Sequence, residues 1–316
     1  MRSSSTVLVL AALALAGCGS SAAPHRPSAP PPPPLPQRPS GSAPLIAAAG
    51  DIACPPGGAP RGECHQGNTA QLLWLLRPAA VPPLGDDQYA TGALDGFRAS
   101  YDASWGRFNP IVRPVPGNHE YLTRDAAGYY AYFGARAGSP PGGYYSYDVG
   151  AWHLIALNSN CGFVSCAPGS PQERWLRADL AAHPRRCTLA YWHYPRFTSG
   201  PHRNDAANMQ SVAPLWRALY SAGADIVLNA HDHDYERFAP QTPDGRADPL
   251  DGIREFVVGT GGRDHYPING TRANSERHND STYGVLALTL RPDRYSWRFV
   301  PEAGAQFTDS GSTRCH

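Results

Sequence analysis

The sequence contains no lysine, because all 27 of its basic residues are arginine. A P-loop lysine, a pyridoxal Schiff base and a Ser-x-x-Lys acylation site are therefore excluded. Charge is scarce as well: charged residues make up 17% of the 316 positions, and the formal net charge is +1. No basic face that could hold a phosphate backbone is visible, so nucleic acid is not expected as an obligate partner.

The N-terminal apolar stretch, residues 6–16, is too short to span a bilayer. Preceded by Arg2, it is typical of an export signal. The sequence Leu-Ala-Gly-Cys at residues 15–18 resembles the lipobox of bacterial lipoproteins, which predicts a lipoprotein signal peptide over residues 1–17 and a lipid anchor on Cys18. The protein would then be held on the outer face of the bacterial cytoplasmic membrane. An ordinary signal peptide with an incidental cysteine is the alternative.

Proline is abundant directly after the predicted signal. Ten prolines occur between Ser20 and Pro44, including the run from Pro30 to Pro34. Such a segment cannot bury a core and favours an extended polyproline spacer of about 3.1 Å per residue. We therefore expect a Pro-rich linker over residues 18–43 and one catalytic domain over residues 44–316.

Six cysteines remain in the predicted exported body, and an even number in an exported chain favours disulfides. Six cysteines allow fifteen connectivities. Sequence proximity favours Cys54 with Cys64 and Cys161 with Cys166, which leaves Cys187 with Cys315. A zinc site is the competing interpretation, but no Cys-x-x-Cys pair is present.

Short apolar runs alternate with helical patterns from residue 45 onward. Helices are predicted over residues 69–76, 171–182 and 213–222, and Ser170 is the expected N-cap of the second. Five of the apolar runs end in a cluster that contains Asp, Asn or His. Functional sites of α/β proteins form beyond the carboxyl ends of strands, so the sequence predicts an α/β fold with a site at these five ends.

The five clusters, in chain order, are Gly50-Asp51-Ile52-Ala53, Gly85-Asp86-Asp87-Gln88-Tyr89, Gly117-Asn118-His119-Glu120, Ala190-Tyr191-Trp192-His193 and Ala230-His231-Asp232-His233. In order and type they resemble the motif blocks of the calcineurin-like metallophosphoesterases, and specifically those of the purple acid phosphatases. The resemblance spans about residues 47–237. It implies a four-layer α-β-β-α sandwich, in which two mixed sheets are flanked by helices.

Tyr89 separates the purple acid phosphatase pattern from that of other relatives. Calcineurin-type relatives usually carry a metal-binding histidine two residues after the first aspartate, where this chain has Ala53. A tyrosine ligand must lose a proton whose usual pKa is about 10, which requires a strongly Lewis-acidic cation and favours Fe³⁺. The second ion is less constrained, and Fe²⁺, Zn²⁺ or Mn²⁺ would suit it. A packing role is the alternative for Tyr89.

The resemblance implies a binuclear metal centre with Asp86 as the bridging ligand. The other ligands would be Asp51, Tyr89 and His233 on one ion and Asn118, His193 and His231 on the other. In an extended His-x-His segment the two histidines point to the same side, so each can reach one ion of the pair.

Two further histidines resemble the substrate-side groups of the family. His119 follows Asn118 directly, and His202 lies nine residues after His193, where purple acid phosphatases place a histidine pair. Arg203 occupies the second position of that pair and would favour phosphate binding. We therefore predict catalytic roles for His119 and His202, with a plain exposed loop position as the alternative for His202.

Other polar residues near the clusters have two possible roles each. Glu120 and Asp232 either orient neighbouring histidines or are exposed loop carboxylates. Asp87 is expected to be solvated or to support the neighbouring ligands. The sequence Gly-Thr-Gly-Gly at residues 259–262 either approaches the substrate through its amides or forms a tight turn.

The leading hypothesis is an exported, lipid-anchored phosphatase that hydrolyses small phosphate monoesters by attack of a metal-activated hydroxide. A phosphodiesterase acting on nucleotides or lipid head groups would use the same residues. A non-catalytic surface binding protein on the same scaffold is the third hypothesis, although seven intact ligand positions argue against it.

Overall fold

Two β-sheets form the centre of the computed structural model, which describes residues 1, 34–36, 38–58 and 64–316. Apart from Met1, the predicted signal peptide lies outside the described residues, as do Cys18 and the linker up to residue 33. From Pro34 onward the described chain forms one compact unit. No helix in this described part of the chain has both the length and the apolar character needed to cross a bilayer.

The smaller sheet has four antiparallel strands in the order β1-β9-β10-β11. These strands are β1 (Leu45–Ala48), β9 (Gly284–Arg291), β10 (Arg294–Pro301) and β11 (Ser310–Arg314). Residues 79–84 run parallel to β1 through isolated bridges at Ala80 and Pro83, and Val81 bridges Val112 in the same way. The apolar runs that end before Asp86 and before Asn118 are therefore extended segments rather than regular strands, because their prolines lack the N–H that a ladder requires.

The larger sheet has seven strands in the order β2-β3-β4-β5-β7-β6-β8. They are β2 (Tyr145–Val149), β3 (Trp152–Ala156), β4 (Thr188–Tyr191), β5 (Ile226–Asn229), β6 (Tyr235–Phe238), β7 (Arg254–Val258) and β8 (Ser275–Asn279). Strands β3, β4, β5 and β7 pair in parallel, and the outer strands pair antiparallel. The sheet is mixed, and the carboxyl ends of its parallel strands meet at one edge.

Helices cover the outer faces of the sheets. The α-helices are α1 (Gln66–Leu76), α2 (Leu94–Gly96), α3 (Ala127–Phe133), α4 (Pro171–Ala182), α5 (Ala206–Ser211) and α6 (Ala213–Ser221). Helix α4 has its predicted bounds, and the Ser170 hydroxyl accepts a hydrogen bond from the Glu173 N–H at 3.2 Å. This side-chain cap satisfies one of the N–H groups that the first turn leaves without a helical partner.

The side chains of the larger sheet alternate between two apolar clusters. On β3, Leu154 belongs to the cluster that also holds Ile46 of β1 and Leu288 of β9, whereas Ile155 belongs to the cluster that holds Trp216 of α6. One face of this sheet therefore packs on the smaller sheet and the other on helices, while α1 packs on β9 from the opposite side. The predicted α-β-β-α architecture is confirmed.

Three disulfides close loops of this body. They join Cys54 to Cys64, Cys161 to Cys166, and Cys187 to Cys315. The pairing predicted from sequence proximity is confirmed, and it takes up every cysteine after Cys18. The Cys187–Cys315 bond ties the C-terminal end of the smaller sheet to the start of β4 in the larger one.

Candidate metal centre

The candidate ligands lie where the chain leaves its strands in unusual backbone conformations. Asp51 follows β1 with φ 57°, Asp86 follows the extended segment 79–84 with φ 48°, and His231 follows β5 with φ 73°. A non-glycine residue in this left-handed region costs about 1–3 kcal/mol, and such residues concentrate at functional sites. At Gly117 a Cβ atom would lie 2.1 Å from Asp86 Oδ1, so only glycine allows this approach.

The first group of donor atoms surrounds the Tyr89 hydroxyl. Tyr89 Oη lies 2.7 Å from Asp51 Oδ1, 2.9 Å from His233 Nε2 and 3.1 Å from Asp86 Oδ2. All four side chains are buried. The structure thus brings together the three residues predicted for one ion and the predicted bridge.

The second group surrounds His193 Nε2. This atom lies 3.0 Å from Asn118 Oδ1, 3.2 Å from His231 Nδ1 and 3.4 Å from Asp86 Oδ2. The three residues predicted for the other ion are therefore together as well. Asp86 Oδ2 belongs to both groups, which is the position that a bridging carboxylate would occupy.

Hydrogen bonds to main-chain carbonyls fix the orientation of two of these histidines. His193 Nδ1 lies 2.9 Å from Leu84 O, and His233 Nδ1 lies 2.7 Å from Asp264 O. A carbonyl only accepts, so Nδ1 carries the proton in both rings and Nε2 points into the site. This arrangement is typical of histidines that hold a metal through Nε2.

The spacing and chemistry of the donors fit two cations. Ligand atoms around one ion, at metal distances of about 2.1 Å, are about 3 Å apart in octahedral coordination. The separations of 2.7 to 3.4 Å in the two groups agree with that value. Every donor is a carboxylate, phenol, amide or imidazole, which suits iron, zinc or manganese.

The charges of the site also favour cations. Burial lowers the pKa of His193, but Asp86 and Asp51 outweigh it and raise that pKa to about 9. Burial lowers the pKa of His233 too, and Asp51 with Asp264 raises it to about 10. The aspartates therefore favour positive charge at these rings, and a bound cation would supply that charge because only neutral histidine ligates.

Glu120 supports the backbone of the centre. Its buried carboxylate accepts hydrogen bonds from the N–H groups of Asp86 at 3.0 Å, Gln88 at 3.2 Å and Gly117 at 2.7 Å. Burial and the neighbouring Asp86 raise the pKa of Glu120 to about 8. Of the two roles considered from sequence, neither applies, because Glu120 joins two loops instead of orienting a histidine.

His119 lies over the first donor group. Its ring centroid is 4.3 Å from that of Tyr89, and its Nε2 is 3.8 Å from Asp86 Oδ2. Nδ1 lies 2.5 Å from Ala90 O and therefore carries the proton. The side chain is 29% exposed, so part of the ring can be reached from solvent.

His202 lies beside the second donor group, with its ring centroid 4.2 Å from that of His231. Its Nδ1 is 2.6 Å from Asp232 Oδ1, and Asp232 in turn accepts a hydrogen bond from the Thr198 hydroxyl. Asp232 is fully buried and orients His202, in agreement with one of its two predicted roles. Arg203 points elsewhere: its guanidinium donates to the main-chain oxygens of residues 269 and 270.

Two other sequence expectations have structural answers. Asp87 is fully buried rather than solvated, and burial, followed by the charge of Glu120, raises its pKa well above the ordinary value. In the segment 259–262, the N–H of Gly259 donates to Asp234 O and that of Gly261 donates to Gly50 O. These amides are used within the protein, so the glycines serve close packing against the ligand loops.

Sequence reasoning missed three partly exposed residues at the centre. Tyr266 stacks on His233 with centroids 3.9 Å apart, and the Arg263 guanidinium lies 5.2 Å from the Tyr89 ring centroid. The ring centroid of Tyr194 lies 4.4 Å from that of His231. The position of Tyr194 next to His193 was a usable signal, and the loop of Arg263 and Tyr266 directly follows the glycine-rich residues 259–262 noted in the sequence.

A family model for calcineurin-like phosphoesterase matches residues 44–235, a range that contains all seven candidate ligands. The chain belongs to this family. Membership implies a binuclear metal centre, although it leaves the identity of the metals open. The resemblance predicted from the ordered motif clusters is thereby confirmed at the level of the family.

Purple acid phosphatases are among the relatives of this calcineurin-like phosphoesterase. It is 33% identical over 175 residues to purple acid phosphatase 15 of Arabidopsis thaliana, covering 50% of this chain and 32% of the relative. It is 27% identical over 302 residues to "Probable inactive purple acid phosphatase 9" of the same plant, covering 76% and 45%. The chain thus spans a third to a half of these relatives' lengths.

A solved structure shares the fold. The purple acid phosphatase isolated from yellow lupin (Lupinus luteus) seeds superposes with a TM-score of 0.70 at 18% sequence identity, covering 89% of this chain and 55% of that one. At this identity the likeness concerns the fold alone. Together with the curated relatives, it supports a purple acid phosphatase-like metallophosphoesterase.

Proposed function

We propose that this calcineurin-like phosphoesterase is an exported, lipid-anchored enzyme that hydrolyses phosphate monoesters at a binuclear metal centre. The observation that supports it most directly is the position of Asp86 Oδ2, within 3.4 Å of both Tyr89 Oη and His193 Nε2. One carboxylate oxygen shared by two groups of donors is the arrangement that a pair of cations requires. Fe³⁺ would be held beside Tyr89, and Fe²⁺, Zn²⁺ or Mn²⁺ beside Asn118.

The residues around the centre have separate tasks in this reaction. When bound, the two cations would supply Lewis acidity for the phosphate and for the attacking water. His119 and His202 flank the two donor groups with partly exposed rings. Either ring, as an imidazolium, can donate its Nε2 proton to the leaving oxygen as the bond to phosphorus breaks, which leaves the neutral histidine. Asp232 accepts a hydrogen bond from the Nδ1–H of His202 and keeps that ring turned toward the centre.

Metal analysis combined with substrate comparison tests the proposed function. We expect about two metal ions per chain and faster hydrolysis of nitrophenyl phosphate than of bis(nitrophenyl) phosphate. Asp86→Asn should lose metal and turnover together, because it removes the shared carboxylate charge. Preference for the diester would establish the phosphodiesterase instead, and two bound metals without turnover of any phosphate ester would establish a binding protein.

The lipid anchor is tested separately, through processing of the precursor. Globomycin blocks the cleavage of lipoprotein signals, so it should leave the precursor uncleaved and keep its Cys18 from becoming the N-terminal residue. Cys18→Ser should have the same effect without the antibiotic. Normal maturation in the presence of globomycin would instead indicate an ordinary signal peptide and a protein without a lipid anchor.

A further inference from the structure

Beside the loop that carries His202 lies a cleft of about 200 Å³ that no step of the proposed reaction uses. Three arginines line it, namely Arg196, Arg203 and Arg272, and the only acidic side chain in its lining is Asp244. The volume corresponds to about seven water molecules at the density of the liquid. The cleft can therefore hold a small oxyanion and carries an excess of positive charge.

The guanidinium groups of this arginine cleft are held by neutral partners. Arg196 donates to the main-chain oxygens of residues 209 and 243, at 3.4 and 3.0 Å. Arg203 donates to those of residues 269 and 270, at 2.6 and 3.2 Å, and Arg272 Nε donates to Thr198 O at 2.7 Å. Carbonyl oxygens fix the side chains but leave their charge uncompensated, and no ion pair of the three with a carboxylate occurs among the residues that the structure describes.

The uncompensated positive charge is clearest at Arg196. It is 6% exposed, and its buried Nε has no hydrogen-bond partner in the described structure. The nearby carboxylate of Glu255 accepts from the main-chain N–H groups of Arg196 and Phe197 instead. Burial lowers the pKa of Arg196. The charges of Glu255 and Asp244 raise this pKa, whereas those of Arg217 and Arg272 lower it further. Arginine nevertheless stays charged in proteins, so an anion in the cleft would relieve this repulsion.

The arginine cleft and the candidate metal centre share two loops. The loop over residues 198–205 carries His202 and Arg203, and the loop over residues 263–272 carries Tyr266 and Arg272. The rings of His202 and Tyr266 are 5.7 Å apart on the side of the centre. On the side of the cleft, the N–H of Arg272 donates to Ser199 Oγ at 2.8 Å. A ligand in the cleft would therefore contact the same two loops that carry His202 and Tyr266 on the side of the centre.

We propose that the arginine cleft binds a phosphate oxyanion, namely a second phosphate group of the substrate, so that the preferred substrates are polyphosphorylated. Arginine forks match the oxygens of phosphate in a bidentate manner, which makes this ligand more suitable than a halide. Three arginines also suit the multiple charge of a phosphate group better than the single charge of a carboxylate. The inference rests on the proposed function, because it concerns the substrate of that reaction. Free inorganic phosphate offers the same chemistry and is the other possible source of the ligand.

The direct test changes the charge of the cleft without touching the candidate centre. Gln210 is exposed and lines the cleft, so Gln210→Glu should raise the KM for a nucleoside triphosphate about threefold to tenfold, and Gln210→Lys should lower it. Gln306→Glu places the same charge on an exposed residue outside the cleft and is the matched control. The KM for nitrophenyl phosphate should not change in any of the three variants.

Two further variants address the lining itself. Asp244→Asn removes the only acidic side chain of the cleft and should lower the KM for the triphosphate, whereas Asp251→Asn, at an exposed position outside the lining, should not. Arg203→Gln should lower the ratio of kcat/KM for the triphosphate to kcat/KM for nitrophenyl phosphate by about tenfold or more, since hydrogen bonds to charged groups are strong. The ratio corrects for any general effect on activity.

Titration of the metal-loaded protein with inorganic phosphate separates the two sources. A triphosphate-specific change in KM identifies the second phosphate of the substrate as the ligand. A second outcome is that the Gln210 variants leave the KM for the triphosphate unchanged and alter only the affinity for inorganic phosphate in the titration. In that case the cleft is an anion site whose ligand is free phosphate. If neither substrate selectivity nor phosphate binding responds, the proposal is wrong. Absence of turnover in every sample would refute the proposed function, while the titration would still decide on the cleft.

Discussion

At the scale of single residues, Tyr89 gives the most distinctive prediction. Its hydroxyl lies among Asp51, Asp86 and His233, where a deprotonated phenol could bind Fe³⁺. A phenolate bound to ferric iron absorbs visible light, so the iron-loaded protein should be pink to purple. Tyr89→Phe should abolish this absorption band in a visible spectrum while iron remains bound through the other ligands.

Tyr266 provides the control for the colour prediction. Its ring stacks on His233 at 3.9 Å, but its hydroxyl is not part of either donor group. Tyr266→Phe should therefore keep the visible band. A colourless wild-type protein with a full iron content would show that Tyr89 is not an iron ligand.

The proposed acid roles of His119 and His202 can be tested with substrates that differ in their leaving group. An alkoxide must be protonated as it leaves, whereas a nitrophenolate need not be. General acid catalysis contributes about 10² to 10⁴-fold, so His119→Ala should reduce turnover of alkyl phosphates by about two to three orders of magnitude and that of nitrophenyl phosphate by less. His202→Ala should have a smaller effect, because His119 would still be in place.

The acid role of a histidine is contradicted if its alanine variant loses the same fraction of turnover on alkyl and on aryl phosphates. Equal losses would mean that the histidine stabilises charge in the transition state instead. Asp232→Asn should reproduce the effect of His202→Ala in weaker form, because it disturbs the Nδ1 hydrogen bond that holds the ring. Loss of metal from His119→Ala would show that the assignment around Asn118 is wrong.

At the scale of secondary structure, a histidine between two aspartates joins the β2–β3 hairpin to α4. His153 Nδ1 lies 2.9 Å from Asp148 Oδ1 and Nε2 lies 2.8 Å from Asp179 Oδ2. Burial lowers the pKa of His153, but the hydrogen bonds with both aspartates raise it above its ordinary value overall. Burial raises the pKa of Asp179, and its hydrogen bond with His153 lowers it below the ordinary value overall.

These shifts predict a pH dependence of stability. The contribution of His153 is complete below its unfolded pKa of about 6.5 and is lost as pH rises through the raised folded value. The contribution of Asp179 is present above about pH 4 and is lost as pH falls through its lowered folded value. His153→Gln should therefore lower the free energy of unfolding, measured with urea, by about 2 kcal/mol at about pH 5.5 and by less at about pH 9. His278→Gln, at an exposed position on β8, should show no such trend.

The disulfides allow a comparison between a long and a short loop. Cys187 and Cys315 are 128 residues apart, and Cys161 and Cys166 are 5 apart. In the chain-entropy model the first bond stabilises the fold by about 5 kcal/mol and the second by about 2 kcal/mol. Double serine variants of each pair should differ accordingly in their free energy of unfolding. Equal losses would mean that strain or denatured-state structure outweighs loop closure.

At the scale of the whole molecule, the candidate centre joins the two sheets. Asp51 extends from β1 of the smaller sheet, whereas His193 and His231 extend from β4 and β5 of the larger one. Metal bound there would therefore stabilise the native state as a whole. Free metal at a thousandfold excess over the dissociation constant contributes about 4 kcal/mol.

Removal of metal should accordingly lower the thermal midpoint of the entire domain in one transition. A chelator such as phenanthroline should shift the calorimetric midpoint of the wild-type protein downward, and added Fe²⁺ or Zn²⁺ should restore it. Asp86→Asn should begin at the low midpoint and respond to neither treatment. A wild-type midpoint that is insensitive to the chelator would contradict a structural contribution of the centre.

Much of the fold and of the site was predictable from local patterns. Helix α4 has a proline at its first turn and Ser170 as a cap, and both signals act within a few residues. The five clusters stood out because each follows an apolar run, and the resemblance of the ordered clusters to the purple acid phosphatase motifs implied the seven candidate ligands. The disulfide pairs followed from sequence separation, since two short loops leave one long one.

Other features depended on contacts between distant parts of the chain. Strands β8 and β11 carry mostly polar, exposed residues, so their sequences have no apolar alternation and their pairing comes from neighbouring strands. Residues 79–84 look like a strand but contain prolines, and only the packing against β1 shows how far the ladder extends.

The sequence alone determined which chemical groups this protein has for its site, since ligand type depends on residue identity and on short-range motifs. Only the tertiary structure decided that Glu120 holds loop backbones, that Arg203 turns away from the centre, and that Arg196 and Arg272 meet it in one cleft. These residues interact across separations of tens of positions, and no periodicity records such contacts. Folding sets the distance of each charge from the others, and this distance determines how strongly the charge affects substrate binding.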